Sequence, residues 1–135
     1  MIVIDANAAL AVSMGLEAGN AMELLRDGHE KIIAPMLIHA EVSHALSKYI
    51  KGGYIDADQA IDCGRDALLL VDEFASDEDL WVEATTESVR LGHSSYDLLY
   101  LILARRECAT LFTLDRKLQR LCAECGVNCI ESIDF

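Results

Sequence analysis

Four acidic residues carry the chemistry this sequence can do: Asp5, Glu41, Asp97 and Asp115. They lie far apart along the chain. Carboxylates gathered in one pocket repel each other, and such a cluster is stable mainly around a divalent cation. No His or Cys belongs to the set, so every donor is a hard oxygen, which suits Mg²⁺ or Mn²⁺ and not zinc. The four acids point to a metal-dependent enzyme, provided that the fold brings them to one place.

The elements that must do so are legible in period and punctuation. Ile2, Val3 and Ile4 form a short β-branched run, the expected first strand. Asp5-Ala6-Asn7 opens a helix over 8–13, and a second helix is expected over 16–27 with Gly28 as its stop. Residues 31–34 read as the second strand. Pro35 suits the first turn of a helix that runs to Lys51 and ends at Gly52-Gly53. Asp56 or Asp58 caps a helix reaching Leu69, while 70–75 read equally as a helix end or a short strand. Ser76 or Asp77 caps a helix over 78–91, stopped by Gly92, and Ser94 begins another that reaches Arg106. A strand over 109–114, a helix over 115–125 stopped by Gly126, and a last strand over 127–130 complete the pass. Strands alternating with helices argue for an α/β fold, a parallel sheet covered on both faces. There is no internal repeat and no linker, so residues 1–135 read as a single domain.

Each acid also has an ordinary structural explanation. Asp5 and Asp115 both follow a strand and precede a helix, where Asp is a common N-cap. Taken together they say more, because ligands of open α/β sheets bind outside the carboxyl ends of the strands. Asp97 lies three residues after Ser94 and could close a capping box in the first turn of its helix. Glu41 lacks such an excuse. In a helix over 35–51 it is central, and its neighbours Leu37, Ile38 and Ala45 form the apolar stripe. There a Glu must be paired, metal-bound, or long enough to reach water.

Bulk properties narrow the classes. The chain has 135 residues and is 53% hydrophobic, enough for a real core. No apolar run approaches the length of a membrane span. The N-terminus has no basic region, and Asp5 interrupts its apolar run, so no signal peptide is expected and a cytoplasmic location follows. Five cysteines, an odd count, suit free thiols in a reducing compartment. The formal net charge of −12 argues against passive nucleic-acid binding through a basic surface. It leaves room for an enzyme whose metal meets the phosphate, and it suits a basic partner.

Basic residues concentrate late in the chain: Arg105, Arg106, Arg116, Lys117 and Arg120. Arg116 and Lys117 directly follow Asp115 and could hold phosphates, although charge on a helix face is ordinary. Cys122, Cys125 and Cys129 suggest zinc, but a helix C-terminus does not stabilise thiolates, so packed thiols are expected. Cys63 and Cys108 read as structural. Of the histidines, His44 lies nearer Glu41 around its helix than His39 does, and His93 could line the pocket. The helix bearing Asp97 is apolar nearly all round, with Tyr96 and Tyr100 packing beside it.

Four stretches in order, VIDAN, LIHAEVSHAL, SSYDLLYLILARR and ATLFTLDRKL, resemble the PIN domain, and within it the VapC-like ribonuclease toxins. The likeness spans essentially the whole chain. It implies a three-layer α/β sandwich with a parallel sheet of four or five strands flanked by helices. It also implies Mg²⁺- or Mn²⁺-dependent cleavage of RNA, leaving a 5′-phosphate and a 3′-hydroxyl. By position Asp5, Glu41, Asp97 and Asp115 match the family's acidic quartet, with Asp5 and Asp97 as the direct ligands. Thr113 matches a hydroxyl residue before the last acid. Asn7 replaces the Ser or Thr often found two residues after the first, and both would orient ligands or water. The resemblance further implies an antitoxin partner whose basic tail covers the site, and a homodimer. Two other readings compete. A PIN module without catalysis would only bind a partner. A receiver-like phosphotransfer domain would need paired acids after strand one and a late-strand Lys, neither of which is present.

Overall fold

The computed structural model describes residues 1–16 and 30–130, and the helix expected over 16–27 falls almost wholly outside them. Five strands form one parallel sheet: β1 (Ile2–Ile4), β2 (Ile32–Pro35), β3 (Glu73–Ala75), β4 (Thr110–Phe112) and β5 (Cys129–Ile130). The spatial order is β3-β2-β1-β4-β5. From β1 the chain builds outward through β2 and β3 on one side, then returns to place β4 and β5 on the other. The gap between β1 and β4 is therefore the topological switch point, where such sheets open a crevice at their carboxyl ends.

Pleating sorts the strand residues into two cores. Ile2, Ile4, Ile32, Ala34 and Phe112 face one side, where they meet α1 (Ala6–Ser13), α2 (Ile38–Lys51) and α3 (Ala57–Leu69). Val3, Ile33 and Leu111 face the other, packed by α4 (Asp77–Leu91), α5 (Ser95–Arg106) and α6 (Arg116–Cys125). This is the expected three-layer α/β arrangement. The seven residues Leu98 to Ala104 of α5 are all buried, as an all-round apolar helix requires.

Several boundaries differ from the sequence reading. Pro35 does not open a helix. It is the buried last residue of β2, paired with Ala75, and α2 starts at Ile38. A strand end tolerates the missing N–H of proline, and the donor role passes to Met36 N, which bonds Ala75 O at 2.9 Å. Within 70–75, Leu70 is the C-cap of α3 and Glu73–Ala75 form the short strand β3. Asp56 and Ser76 are the caps of α3 and α4. Gly92 closes α4 with a left-handed φ of 64°, which a residue without Cβ adopts freely and which starts the turn into α5. Among the described residues, no helix is long and apolar enough to cross a membrane.

Candidate active site

Asp5 leaves β1 at the switch point. Its backbone N–H donates to Phe112 O of β4, and its Oδ1 accepts from Ala8 N at 2.9 Å, capping α1. Its other oxygen, Oδ2, accepts from the Thr113 hydroxyl. Thr113 follows β4 and is fully buried, and it also accepts from Asp115 N at 3.1 Å. One threonine thus ties the ends of the two central strands together. Burial pushes the Asp5 carboxyl up to about 6, with the charges of Glu41 and Asp97 adding to the rise and the bonds from Thr113 and Ala8 N opposing it.

Glu41 is not central in its helix. Because α2 begins at Ile38, Glu41 sits in the first turn, where the positive end of the helix dipole favours a carboxylate. It is half-buried and accepts from the Tyr100 hydroxyl at 2.6 Å. Burial raises its carboxyl above the usual range, Asp97 raises it further, and the Tyr100 bond lowers it. Tyr100 belongs to the core on the opposite face of the sheet, so this bond joins the two helical layers. Its phenol is held protonated by burial and by the charges of Glu41, Asp5 and Asp97.

Asp97 lies in the first turn of α5, but the capping box expected with Ser94 does not form: the Ser94 side chain makes no capping bond. Asp97 Oδ2 instead meets His93 Nε2 at 2.8 Å. His93 is itself held by its own backbone, since His93 N donates to Ser88 O and the Ser88 hydroxyl donates to His93 O. Asp115 differs from the other three. It is exposed, and its Oδ1 caps α6 by accepting from Lys117 N and Leu118 N. Its link to the remaining acids runs through Thr113.

The structure therefore brings Asp5, Glu41 and Asp97 into one electrostatic neighbourhood and sets Asp115 at its rim. Each of the three has a dedicated partner: Thr113, Tyr100 and His93 respectively. His93, which the sequence offered as pocket lining, meets Asp97 directly, whereas the role of the Tyr100 hydroxyl is not legible in the sequence. Tyr100 does pack in the core, but its hydroxyl reaches an acid fifty-nine positions away. Tyr96, by contrast, is 61% exposed. Asn7 is exposed on α1 and makes no bond to Thr113 or to the acids, but it shares a pocket with Glu41.

The donor chemistry fits a hard divalent cation. Among the described residues no group of three His, Cys, Asp or Glu side chains is arranged to hold a metal ion; Mg²⁺ itself takes one or two carboxylates and keeps several waters. A cation there would offset the burial and, secondarily, the repulsion that lift Asp5 and Glu41. The other metal-like sets do not compete. None of the five cysteines forms a disulfide; Cys122 is buried, and a bond with Cys129 together with burial pushes its thiol up, the opposite of a thiolate ligand. Cys108, expected to be structural, is exposed. His39 packs against Phe74 in a tilted arrangement with ring centroids 4.5 Å apart. The basic residues divide in two. Arg105 and Arg106 are taken up by Glu83 of α4, whereas Arg116, Lys117 and Arg120 stand exposed on α6 beside Asp115.

Comparisons with known proteins agree with this architecture. The chain is similar to a protein from Pyrobaculum aerophilum whose crystal structure is described as that of PAE2754, with 25% sequence identity and a TM-score of 0.70 over 87% of this chain and 76% of that one. No curated protein matches the sequence. The family model described as PIN domain matches residues 2–124. PIN domains are typically nucleases that use divalent metal ions. With this sheet topology, the three neighbouring acids and a match over nearly the whole length, this chain belongs to the PIN domain family.

Proposed function

We propose that this chain is a metal-dependent endoribonuclease that hydrolyses RNA phosphodiesters, and that it serves as the toxin of a toxin–antitoxin pair. The observation that carries the nuclease reading is the trio Asp5, Glu41 and Asp97. Glu41 and Asp97 are each anchored through one oxygen and Asp5 through both, and the charge of Asp97 raises the carboxyls of Asp5 and Glu41 beyond what burial does. Mg²⁺ or Mn²⁺, when bound, would acidify a water and neutralise charge on the phosphoryl oxygens. Asp5 and Asp97 would hold the ion, and Glu41 and Asp115 would complete the site directly or through water. Thr113, Tyr100 and His93 keep the three carboxylates in place, so little reorganisation accompanies reaction.

The toxin reading draws on the VapC-like motifs, and the net charge of −12 supports an inhibitor with a basic tail. A homodimer belongs to the same proposal. The direct test is incubation of the purified chain with single-stranded RNA in Mg²⁺ or Mn²⁺. Endonucleolytic products with 5′-phosphates, absent in chelator, are expected. Uncut RNA in both metals, with no heat of Mg²⁺ or Mn²⁺ binding, would favour an inert module.

Two further outcomes are expected. Thr113→Val removes the hydroxyl that fixes Asp5 and should weaken Mn²⁺ binding by about 10–100-fold, as loss of an outer-shell partner generally does; calorimetry reads this. Arg116→Ala with Lys117→Ala should weaken RNA binding and reduce the slope of log affinity against log salt by about 1.4, at ~0.7 per lost contact to a single strand. An unchanged slope would remove α6 from the RNA path.

A further inference from the structure

Beside Glu41 lies a pocket of about 190 Å³, lined by Ala6 and Asn7 of α1 and by Glu41, His44, Lys48 and Tyr49 of α2. We propose that it is a nucleotide subsite that takes the base and far phosphate flanking the scissile bond; this rests on the ribonuclease reading above.

Three observations carry the assignment. First, Glu41 is common to the pocket and to the acid trio, so the pocket adjoins the acids. Second, the lining is graded in charge. Glu41, His44 and Lys48 follow one stripe of α2, and Lys48 lies roughly 10 Å along the axis from Glu41 at ~1.5 Å per residue. Among the described residues Lys48 forms no ion pair, and it is exposed, so its ammonium is available to an anion. A basic peptide would meet Lys48 as a like charge, whereas a polynucleotide entering past the acids finds a cation one short step away. Third, the pocket's size and polar groups suit a base. Its volume is below the roughly 300–1,000 Å³ typical of drug-sized ligands, which leaves room for one flat ring. Tyr49 offers an aromatic ring, and stacking of a base on such a ring is worth about 1–3 kcal/mol. The amide of Asn7 supplies both a donor and an acceptor for a base edge. The two residues therefore make this pocket a place where sequence preference at the cleavage site would arise.

The test is titration of the full chain with each of the four ribonucleoside 5′-monophosphates, followed by ¹⁵N-edited NMR. At least one nucleotide should shift the Asn7 side-chain amide and the backbone amides of His44, Lys48 and Tyr49. Lys48→Ala and, separately, Asn7→Ala should weaken that nucleotide's binding by about tenfold. Both positions are exposed, so the fold should survive each change. Shifts that avoid this pocket for all four nucleotides, or affinities unchanged in both variants, overturn the proposal. RNA cleavage by the wild type, measured alongside, separates the two ideas. Cleavage without nucleotide binding here sinks the subsite and spares the nuclease; binding here without metal-dependent cleavage does the reverse.

Discussion

Asp97→Asn and Asp5→Asn should each lower metal-dependent RNA cleavage by about a thousandfold or more. A metal's stabilisation of a phosphoryl transition state is worth several kcal/mol, and each ~1.36 kcal/mol is tenfold in rate. Asparagine keeps the size and one carbonyl oxygen, so both variants should fold. In Asp5→Asn that oxygen can still accept from Ala8 N and cap α1. In Asp97→Asn the ring of His93 keeps a polar neighbour. What disappears in each is one negative charge from the trio. Asp115→Asn should cost less, because Asp115 is exposed at the rim and asparagine is as good an N-cap for α6. Single-turnover cleavage in Mn²⁺, with circular dichroism as the check on folding, measures all three. Full activity in either Asp5→Asn or Asp97→Asn would remove that residue from the site.

The second large effect concerns stability without metal. The Asp5 carboxyl is raised to about 6 in the folded chain, from 3.8. For a group raised on folding, the stability it contributes is fully present below the unfolded value and is lost as pH rises through the folded value. Asp5 should therefore weaken the metal-free fold progressively between pH ~4 and ~6, by up to about 3 kcal/mol for a rise of ~2 units. Glu41, raised by burial, acts in the same direction. In chelator, Asp5→Asn should thus melt higher than the wild type, by about 10 °C at pH 7 and hardly at all at pH 4, given ~2–4 °C or more per kcal/mol for a chain of this size. Saturating Mg²⁺ or Mn²⁺ should raise the wild type by mass action and leave the variant almost unmoved. Thermal melts at four pH values with and without metal decide it. A difference between the two proteins that does not change with pH would show that Asp5 ionises freely, and the buried, repelled carboxylate would no longer describe the site.

Much of the scaffold was legible in local pattern. β-branched runs, helix stops at Gly92 and Gly126, and the succession of strands and helices are local signals, and they led to the parallel α/β sandwich that the structure has. Asp5 and Asp115 could be placed after strands for the same reason, and the capping bonds expected of them are present. Locality also explains the errors. Pro35 suits a helix start and a strand end equally, and only its partner Ala75, forty positions on, decides for the strand. That three-residue shift moved Glu41 from mid-helix into the first turn, where a carboxylate is favoured.

By itself the sequence determined which groups are available: four hard acids, a threonine before the last of them, a small basic cluster on the final helix. Tertiary structure alone decided how they are grouped. Strand order puts β1 beside β4, so Thr113 can reach Asp5 across more than a hundred residues. Packing of α5 and α2 on opposite faces of the sheet lets Tyr100 meet Glu41. The same packing gathers three acids and leaves the fourth at the rim. Burial and mutual charge depend on distances through space, which no spacing along the chain encodes, and these are the quantities that decide how Asp5, Glu41 and Asp97 perturb one another.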